Sequence, residues 1–540
     1  MKKNYQNILI IFVCTVIIML PLFLNSYKSN HDTRFHVANI LSLKEAIIEN
    51  GIDSKILPNI AHNFGYGTRL FYPPLSHTVV AVTSIIFDKI NLDFFFSLKS
   101  VHFIVMFLSG VILYLLSLRL SKDKKIALVS SIIYMALPYH LSDIYVRDAL
   151  GETFMFVFLP LILLGLTYLF ENKRLFYILF SIGYVGGMFS HFTLMIYFTL
   201  FLIPFFVINI KKVFTKNNII ILIISAFTIL LITSPFLDTM IEHKLFGDYT
   251  VYIPGHMAGG IWHLGLIPYD YINIFARFET YEIKFSLDLL TLIFIFLTFK
   301  NRKKIEILKD YKFIYIFGLI SLYLSTVLFP WNILPGFLRM IQFPWRLVTF
   351  VAIPISLMAP LFLKIEKYSK IKYILPIIIF GLLTLGYLNI NHASDEVVTL
   401  NNFNYSDGMG WQKEYLPTNT YNNIDYFNNR TYDIIVKEGG SALITYDSMP
   451  NLNFTTLEKS VVELPRLYYL GYSLKDSNNK SINFYENEFG FIEANLEKGE
   501  YKLSYKGTPA YNIFKKISLI TIIISIIISW KGFIIWKKLV

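Results

Sequence analysis

The chain alternates long uncharged apolar runs with short polar stretches, and the first run occupies residues 8–24. Further runs lie at 99–118, 126–141, 150–170, 175–190 and 192–210, then at 219–236, 285–299, 313–329, 347–363, 373–390 and 513–530. Blocks of this length and polarity predict transmembrane helices, about twelve in all. They exclude a porin-like barrel, whose strands alternate over about ten residues. One more apolar stretch, 75–90, breaks the count. It is expected to lie at the outer surface or to dip in and return.

The polar stretches give the orientation. Met1-Lys2-Lys3 precedes the first run, and no small-residue cleavage site follows it, so a retained signal anchor is expected. Basic groups gather at Arg119/Lys122/Lys124/Lys125, Lys173/Arg174, Lys211/Lys212/Lys216, Lys300/Arg302/Lys303/Lys304 and Lys364/Lys367/Lys370/Lys372. The positive-inside rule places all of these in the cytoplasm together with Lys531, Lys537 and Lys538. Both termini are then cytoplasmic in a multi-pass protein of the cell membrane. The outer connectors become 25–98, 138–149, the turn at His191, 237–284, 330–346 and 391–512.

Composition agrees. The chain is 55% hydrophobic and 16% charged, against about 25% charged in soluble domains. A soluble enzyme is excluded. The net charge of +12 sits largely in the cytoplasmic connectors, so no nucleic-acid partner is expected. A single cysteine, Cys14, rules out an intrachain disulfide and a four-cysteine metal site.

After residue 390 the composition turns to Asn, Tyr, Ser and Glu. Strand-like runs at 442–446, 460–464 and 501–505 are punctuated by Asn478-Asn479, Lys498-Gly499 and Lys506-Gly507. They predict a β-sandwich-like domain over 391–512, outside the cell. The whole is a polytopic α-helical membrane protein: a transmembrane domain over 1–390 with a large first outer loop at 25–98, the β-rich domain, and a final transmembrane helix in 513–540. Trp411, Tyr468 and Tyr469 are either core aromatics of that domain or platforms that stack on sugar rings.

The outer connectors hold the candidate chemistry. Asp32 and His36 share a face if a helix starts there, and the Asp32 carboxylate could take a proton from a hydroxyl or hold a divalent ion. The plainer alternative makes Asp32 the N-cap of a surface helix over 33–49. Tyr72 lies in the Phe71-Tyr72-Pro73-Pro74 turn. Glu152 enters an uncharged run, where a carboxylate faces a cavity or a partner, and Arg147 is the nearest cation. Asp148, His191, Arg339 and Arg346 fall at the same outer level. Arginine there suits a lipid phosphate or serves as an interfacial anchor. Together these groups resemble a site. The cytoplasmic connectors carry no Gly-rich phosphate loop.

Asp32-Thr33-Arg34-Phe35-His36, Gly65-Tyr66-Gly67 and Phe71-Tyr72-Pro73-Pro74-Leu75 resemble the GT-C class of membrane glycosyltransferases. The chain is similar to bacterial membrane proteins labelled "6-pyruvoyl-tetrahydropterin synthase-related" and to YfhO-type proteins. Arg147 through Glu152, Ser190-His191, Gln342 through Arg346, Glu414-Tyr415-Leu416-Pro417 and 464–472 extend the resemblance over most of the chain. It implies a GT-C-like bundle that moves a sugar from a polyprenyl-phosphate carrier to a cell-envelope glycan or lipid acceptor, among membrane lipids. Asp32 matches the GT-C acidic position, as base or as ligand of Mg or Mn. Many members pair two acidic residues there, whereas His31 precedes Asp32, so Glu152 or Asp148 would supply the second carboxylate. On this reading Asp32, His36 and Glu152 are catalytic, while Arg147, Asp148, His191, Arg339, Arg346 and Tyr72 bind substrate. The rival expectations are a flippase for lipid-linked sugars, kept open by Pro204 and Pro354, and a non-catalytic assembly subunit.

Overall fold

A computed structural model describes the chain except residues 1, 254–264, 273–282, 306–311, 336–340, 366, 369–374, 389, 391 and 540. Helices dominate up to residue 388, nine strands follow between Ile435 and Tyr505, and a helix from Pro509 to Leu539 closes the chain. Local sequence starts several helices as expected of capping carboxylates. Asp93 accepts from the Phe96 amide at 2.6 Å, and Asp123 accepts from the Lys125 and Ile126 amides at 2.9 and 3.2 Å.

Among the described residues, five helices are long and apolar enough to cross a membrane. They are Tyr5–Leu24, Phe94–Ser121, Lys216–Phe246, Pro344–Lys364 and Pro509–Ser529. The other expected spans are shorter or interrupted, except that 175–190 lies in the unbroken 18-residue helix Lys173–Ser190, which opens with two basic residues. The run at 126–141 stops at Ala136, because Pro138 cannot continue the helix and opens the next one. The run at 192–210 divides into Phe192–Phe201 and Ile203–Ile208, with Pro204 in the first turn of the second piece.

The helix Leu75–Asp88 does not behave as a span. Its fourteen residues reach about 21 Å, short of a hydrocarbon core of about 30 Å. It starts beside Tyr72, and Asp88 at its far end pairs with Lys44 at 2.7 Å. The next helix opens with Lys99 donating to the carbonyl of Asn25 at 2.8 Å, at the end of the first span. Entry and exit therefore lie at one end of the bundle.

The basic connectors meet at the opposite end. Arg119 pairs with Glu171, Lys173 bonds Asn218, and Lys364 lies 3.8 Å from Asp123.

The strands form two antiparallel sheets. One orders β1 (Ile435–Gly439), β4 (Ser460–Leu467), β8 (Phe491–Leu496) and β7 (Tyr485–Glu486). The other orders β2 (Ala442–Ser448), β3 (Asn451–Thr456), β9 (Gly499–Tyr505), β5 (Tyr472–Asp476) and β6 (Ser481–Ile482). Leu452, Phe454 and Thr456 of β3 are buried at alternate positions, as a half-buried strand requires, whereas β4 is buried on both faces from Val462 to Leu467. The first outer loop is the socket for this domain. Phe64 meets Phe491 edge-on at 5.0 Å and stacks on Tyr432 at 5.7 Å, while its carbonyl accepts from the Leu467 amide at 3.0 Å. A Cβ at Gly67 would lie 2.6 Å from the Tyr469 ring, so only glycine lets the two parts approach this closely.

Candidate functional site

A cavity of about 1500 Å³ opens where the bundle, the first outer loop and the segment before β1 converge. Two loops far apart in sequence build its wall by pairing backbones. The His31 amide donates to the Val146 carbonyl at 3.2 Å, and the Asp32 amide to the Arg147 carbonyl at 2.8 Å. That pairing sets Asp32 next to Arg147.

Asp32 occupies the N-cap position of the helix Thr33–Asn50, yet its carboxylate makes no capping hydrogen bond. Neither a hydrogen bond nor an ion pair engages it among the described residues. The carboxylate lines the cavity, half-buried. The capping alternative is therefore not how this side chain is used.

Glu152 differs. It is 2% exposed, and both oxygens are engaged. Oε1 accepts from Tyr139 Oη at 2.6 Å and from Thr349 Oγ1 at 2.9 Å, and Oε2 accepts from Arg147 Nη1 at 2.6 Å. Arg346 Nε stands 3.8 Å away. Arg147 Nη1 also bonds Asp143 Oδ1 at 2.5 Å, and the guanidinium lies over the Trp345 ring at 4.7 Å. Its Nε and Nη2 make no hydrogen bond among the described residues. Arg346 donates from Nη1 to Gln342 Oε1 at 2.5 Å, while its buried Nε has no hydrogen-bond partner among the described residues. Two guanidinium groups thus line the cavity, braced from behind by Glu152 and Asp143.

The remaining expected residues divide. Asp148 is not in the cavity wall. It is 1% exposed and accepts from Tyr27 Oη at 3.1 Å and Thr33 Oγ1 at 2.8 Å, with His102 Nε2 at 3.0 Å. The expected substrate-binding role is therefore replaced by one of locking three segments together. His36 lines the cavity, but its Nδ1 is 2.7 Å from His77 Nε2, and burial pushes its pKa down. Its partner is thus His77 and not Asp32. Tyr72 stacks on His77 at 4.9 Å with its ring lining the cavity. His191 also lines it, in the turn between two helices, and its Nδ1 accepts from the Leu194 amide at 3.3 Å. Burial and the neighbouring Arg346 push that imidazole down to about 3, so it stays neutral. Arg339 lies outside the described residues.

Two acids, Glu414 in the cavity wall and Asp143 behind it, escaped the sequence reading of the site, which named Trp411 only as a candidate sugar platform. Glu414 lines the wall, pushed up to about 7 by burial and by the nearby Asp32. Gly410, at φ +72°, leaves room for it, because a Cβ there would strike the Glu414 carboxylate. Trp411 stands at the mouth, 91% exposed. Asp143 braces Arg147, and its i,i+4 spacing to that arginine was a readable signal. Of the aromatics proposed as sugar platforms, Tyr469 is core, stacked on Tyr249 at 5.5 Å, and only Trp411 presents a free face at the cavity.

Among the described residues no group of three or more His, Cys, Asp or Glu side chains is placed to hold a metal.

No family model matches the sequence. An uncharacterized protein of Lactococcus lactis subsp. cremoris (strain MG1363) is 24% identical over 361 residues, covering 61% of this chain and 55% of that protein. The chain thus spans about half the length of that relative. Solved membrane glycosyltransferases are structural neighbours. The mycobacterial arabinofuranosyltransferase AftD aligns with a TM-score of 0.45 and 8% identity, over 70% of this chain and 26% of that one. An Archaeoglobus fulgidus oligosaccharyltransferase tethered to an acceptor peptide aligns at 0.42 and 12%, over 77% and 59%. AglB of Archaeoglobus fulgidus, in complex with an inhibitory peptide and a dolichol-phosphate, aligns at 0.37 and 11%, over 80% and 59%.

Proposed function

We propose that the chain is a membrane glycosyltransferase that moves a sugar from a polyprenyl-phosphate carrier to a hydroxyl of a cell-envelope acceptor. The observation that carries this reading is an unengaged carboxylate, Asp32, lining the same cavity as two braced guanidinium groups, Arg147 and Arg346. Group transfer from a phosphate needs both: a base at the acceptor and cations at the leaving group. Placing the basic end of the bundle in the cytoplasm puts this cavity and the β domain outside the cell.

The acceptor oxygen attacks the anomeric carbon as the bond from that carbon to the phosphate oxygen breaks. The acceptor proton passes to Asp32. The electron pair leaves on polyprenyl phosphate, whose negative charge faces Arg147 and Arg346. Glu152 holds both guanidiniums in place, and neutral His191 shapes the wall between them and the first loop.

The test is a transfer assay in liposomes with a panel of polyprenyl-phosphate sugars. The expected result is release of polyprenyl phosphate by wild type and its loss in Asp32→Asn. Lipid-linked sugar crossing the bilayer with no release would transfer the reading to a flippase.

A further inference from the structure

A second charged cluster lies where the last helix meets the first outer loop, and none of its members lines the cavity. Asp53 sits at its centre. Lys515 pairs with Asp53 Oδ2, Tyr511 Oη donates to Oδ1 at 2.5 Å, and Lys55 Nζ is 3.5 Å from Oδ1. Lys55 Nζ also lies over the Tyr511 ring at 4.9 Å. Arg69 is 7% exposed and within electrostatic reach of the same carboxylate. Its Nη1 donates to the Ile52 carbonyl at 3.3 Å, and its Nε is buried without a hydrogen-bond partner among the described residues.

The charges do not balance. Lys55, Arg69 and Lys515 are three cations around one carboxylate. The other acidic group nearby, Glu242, accepts from Thr508, and even counting its charge one cation is left over. A buried cation with an incomplete counter-charge is costly; Arg69 is buried and the Lys55 side chain is only 14% exposed. Burial, with Arg69 and Lys515 opposing Asp53, holds Lys55 down to about 8. The setting names the missing anion. Tyr511 and Lys515 stand in the first turns of the Pro509–Ser529 helix, whose Ile513, Leu519 and Ile520 are more than half exposed, as lipid-facing side chains are. The cluster therefore lies where a span enters the headgroup layer, with its lysine beside a tyrosine at that level.

We propose that Lys55, Arg69 and Lys515 hold the phosphate of an anionic phospholipid headgroup at the entry of the last helix. Arg69 offers a planar fork to the phosphate oxygens, and the two lysines add point charges. The lipid ties the first outer loop and the last helix to the membrane surface, independently of any transfer chemistry in the cavity.

The test uses the full chain in nanodiscs of phosphatidylcholine into which phosphatidylglycerol is titrated, with retained lipid counted by native mass spectrometry. Wild type is expected to retain phosphatidylglycerol preferentially. Lys515→Gln, at a half-exposed side chain that leaves the fold intact, lowers that preference on the order of fivefold, and Lys55→Gln/Arg69→Gln lowers it further. Asp53→Asn removes the internal competitor and raises retention, whereas a merely structural ion pair would lose it. Equal retention of the two lipids, or an unchanged preference in Lys515→Gln, overturns the proposal. Displacement by millimolar inorganic phosphate overturns the lipid assignment in favour of a soluble phosphate. If the double variant does not fold, Lys515→Gln and Asp53→Asn decide alone.

Discussion

The back wall of the cavity and its rim are both rich in charge, yet they use it differently. At the back, Glu152 accepts from Tyr139, Thr349 and Arg147, and Arg147 in turn holds Asp143. At the rim, Asp32 has no hydrogen-bond or ion-pair partner among the described residues, Glu414 sits over a glycine that makes room for it, and Trp411 is 91% exposed. Engaged charges fix geometry. Unengaged ones are available to a substrate. A carboxylate in this chain is thus assigned by what already bonds it, and not by its residue type or depth.

The largest expected effect breaks the comparison most cleanly. Asp32→Asn removes the base and should lower turnover by about 10² to 10⁴-fold, with the melting temperature unchanged. Glu152→Gln should do the reverse in kind. It leaves the buried Arg147 without one of its two carboxylate partners, and chemical or thermal unfolding should show a loss of about 3–5 kcal/mol. Should Glu152→Gln abolish turnover at an unchanged melting temperature, the back wall would belong with the rim.

Arg346→Gln removes one of the two phosphate cations. It is expected to raise the donor KM about tenfold to a hundredfold, equivalent to a charge-assisted hydrogen bond of about 1.5–3 kcal/mol, with kcat less affected. Donor-titrated steady-state kinetics read this directly.

Glu414 sharpens the rim through pH. Its acid form is favoured in the folded protein, with a pKa of about 7. Because that value is raised, the stabilisation is fully present below the unfolded pKa of about 4.3 and fades as pH rises through 7. Ionisation also sets a second negative charge near Asp32 and the donor phosphate, so turnover should fall above pH 7. Glu414→Gln should flatten that limb of the profile, and an unchanged limb would remove Glu414 from the site. The smallest effect is at the mouth. Trp411→Ala should raise the KM of a glycan acceptor about twofold to tenfold and leave donor KM alone.

Much of this arrangement was legible in sequence. The apolar runs and their basic connectors located one end of the bundle where Asp32, Arg147, Glu152, His191 and Arg346 meet. The strand-like runs at 442–446, 460–464 and 501–505, with the turn signals between them, marked strands β2, β4 and β9. The breaks at Pro138 and Pro204 are proline effects, yet hydropathy alone reads the runs at 126–141 and 192–210 as continuous. What could not be read was engagement. Asp32 and Asp148 are both short acids beside a helix start. Only the approach of Tyr27, Thr33 and His102 to Asp148 separates them. Glu414 and Trp411 reach the cavity because residues 404–417 fold back onto the first loop, held by Arg34 on Asp407 at 3.2 Å and Tyr66 Oη on the Met409 carbonyl at 3.1 Å. Such non-local contacts leave no periodicity to detect.

The most direct measurement of the central claim is polyprenyl-phosphate release by Asp32→Asn and Glu152→Gln in the same liposomes in which their melting temperatures are recorded. The account predicts that Asp32→Asn melts like wild type and releases no carrier, while Glu152→Gln melts earlier. Release at the wild-type rate by a correctly inserted Asp32→Asn would contradict it.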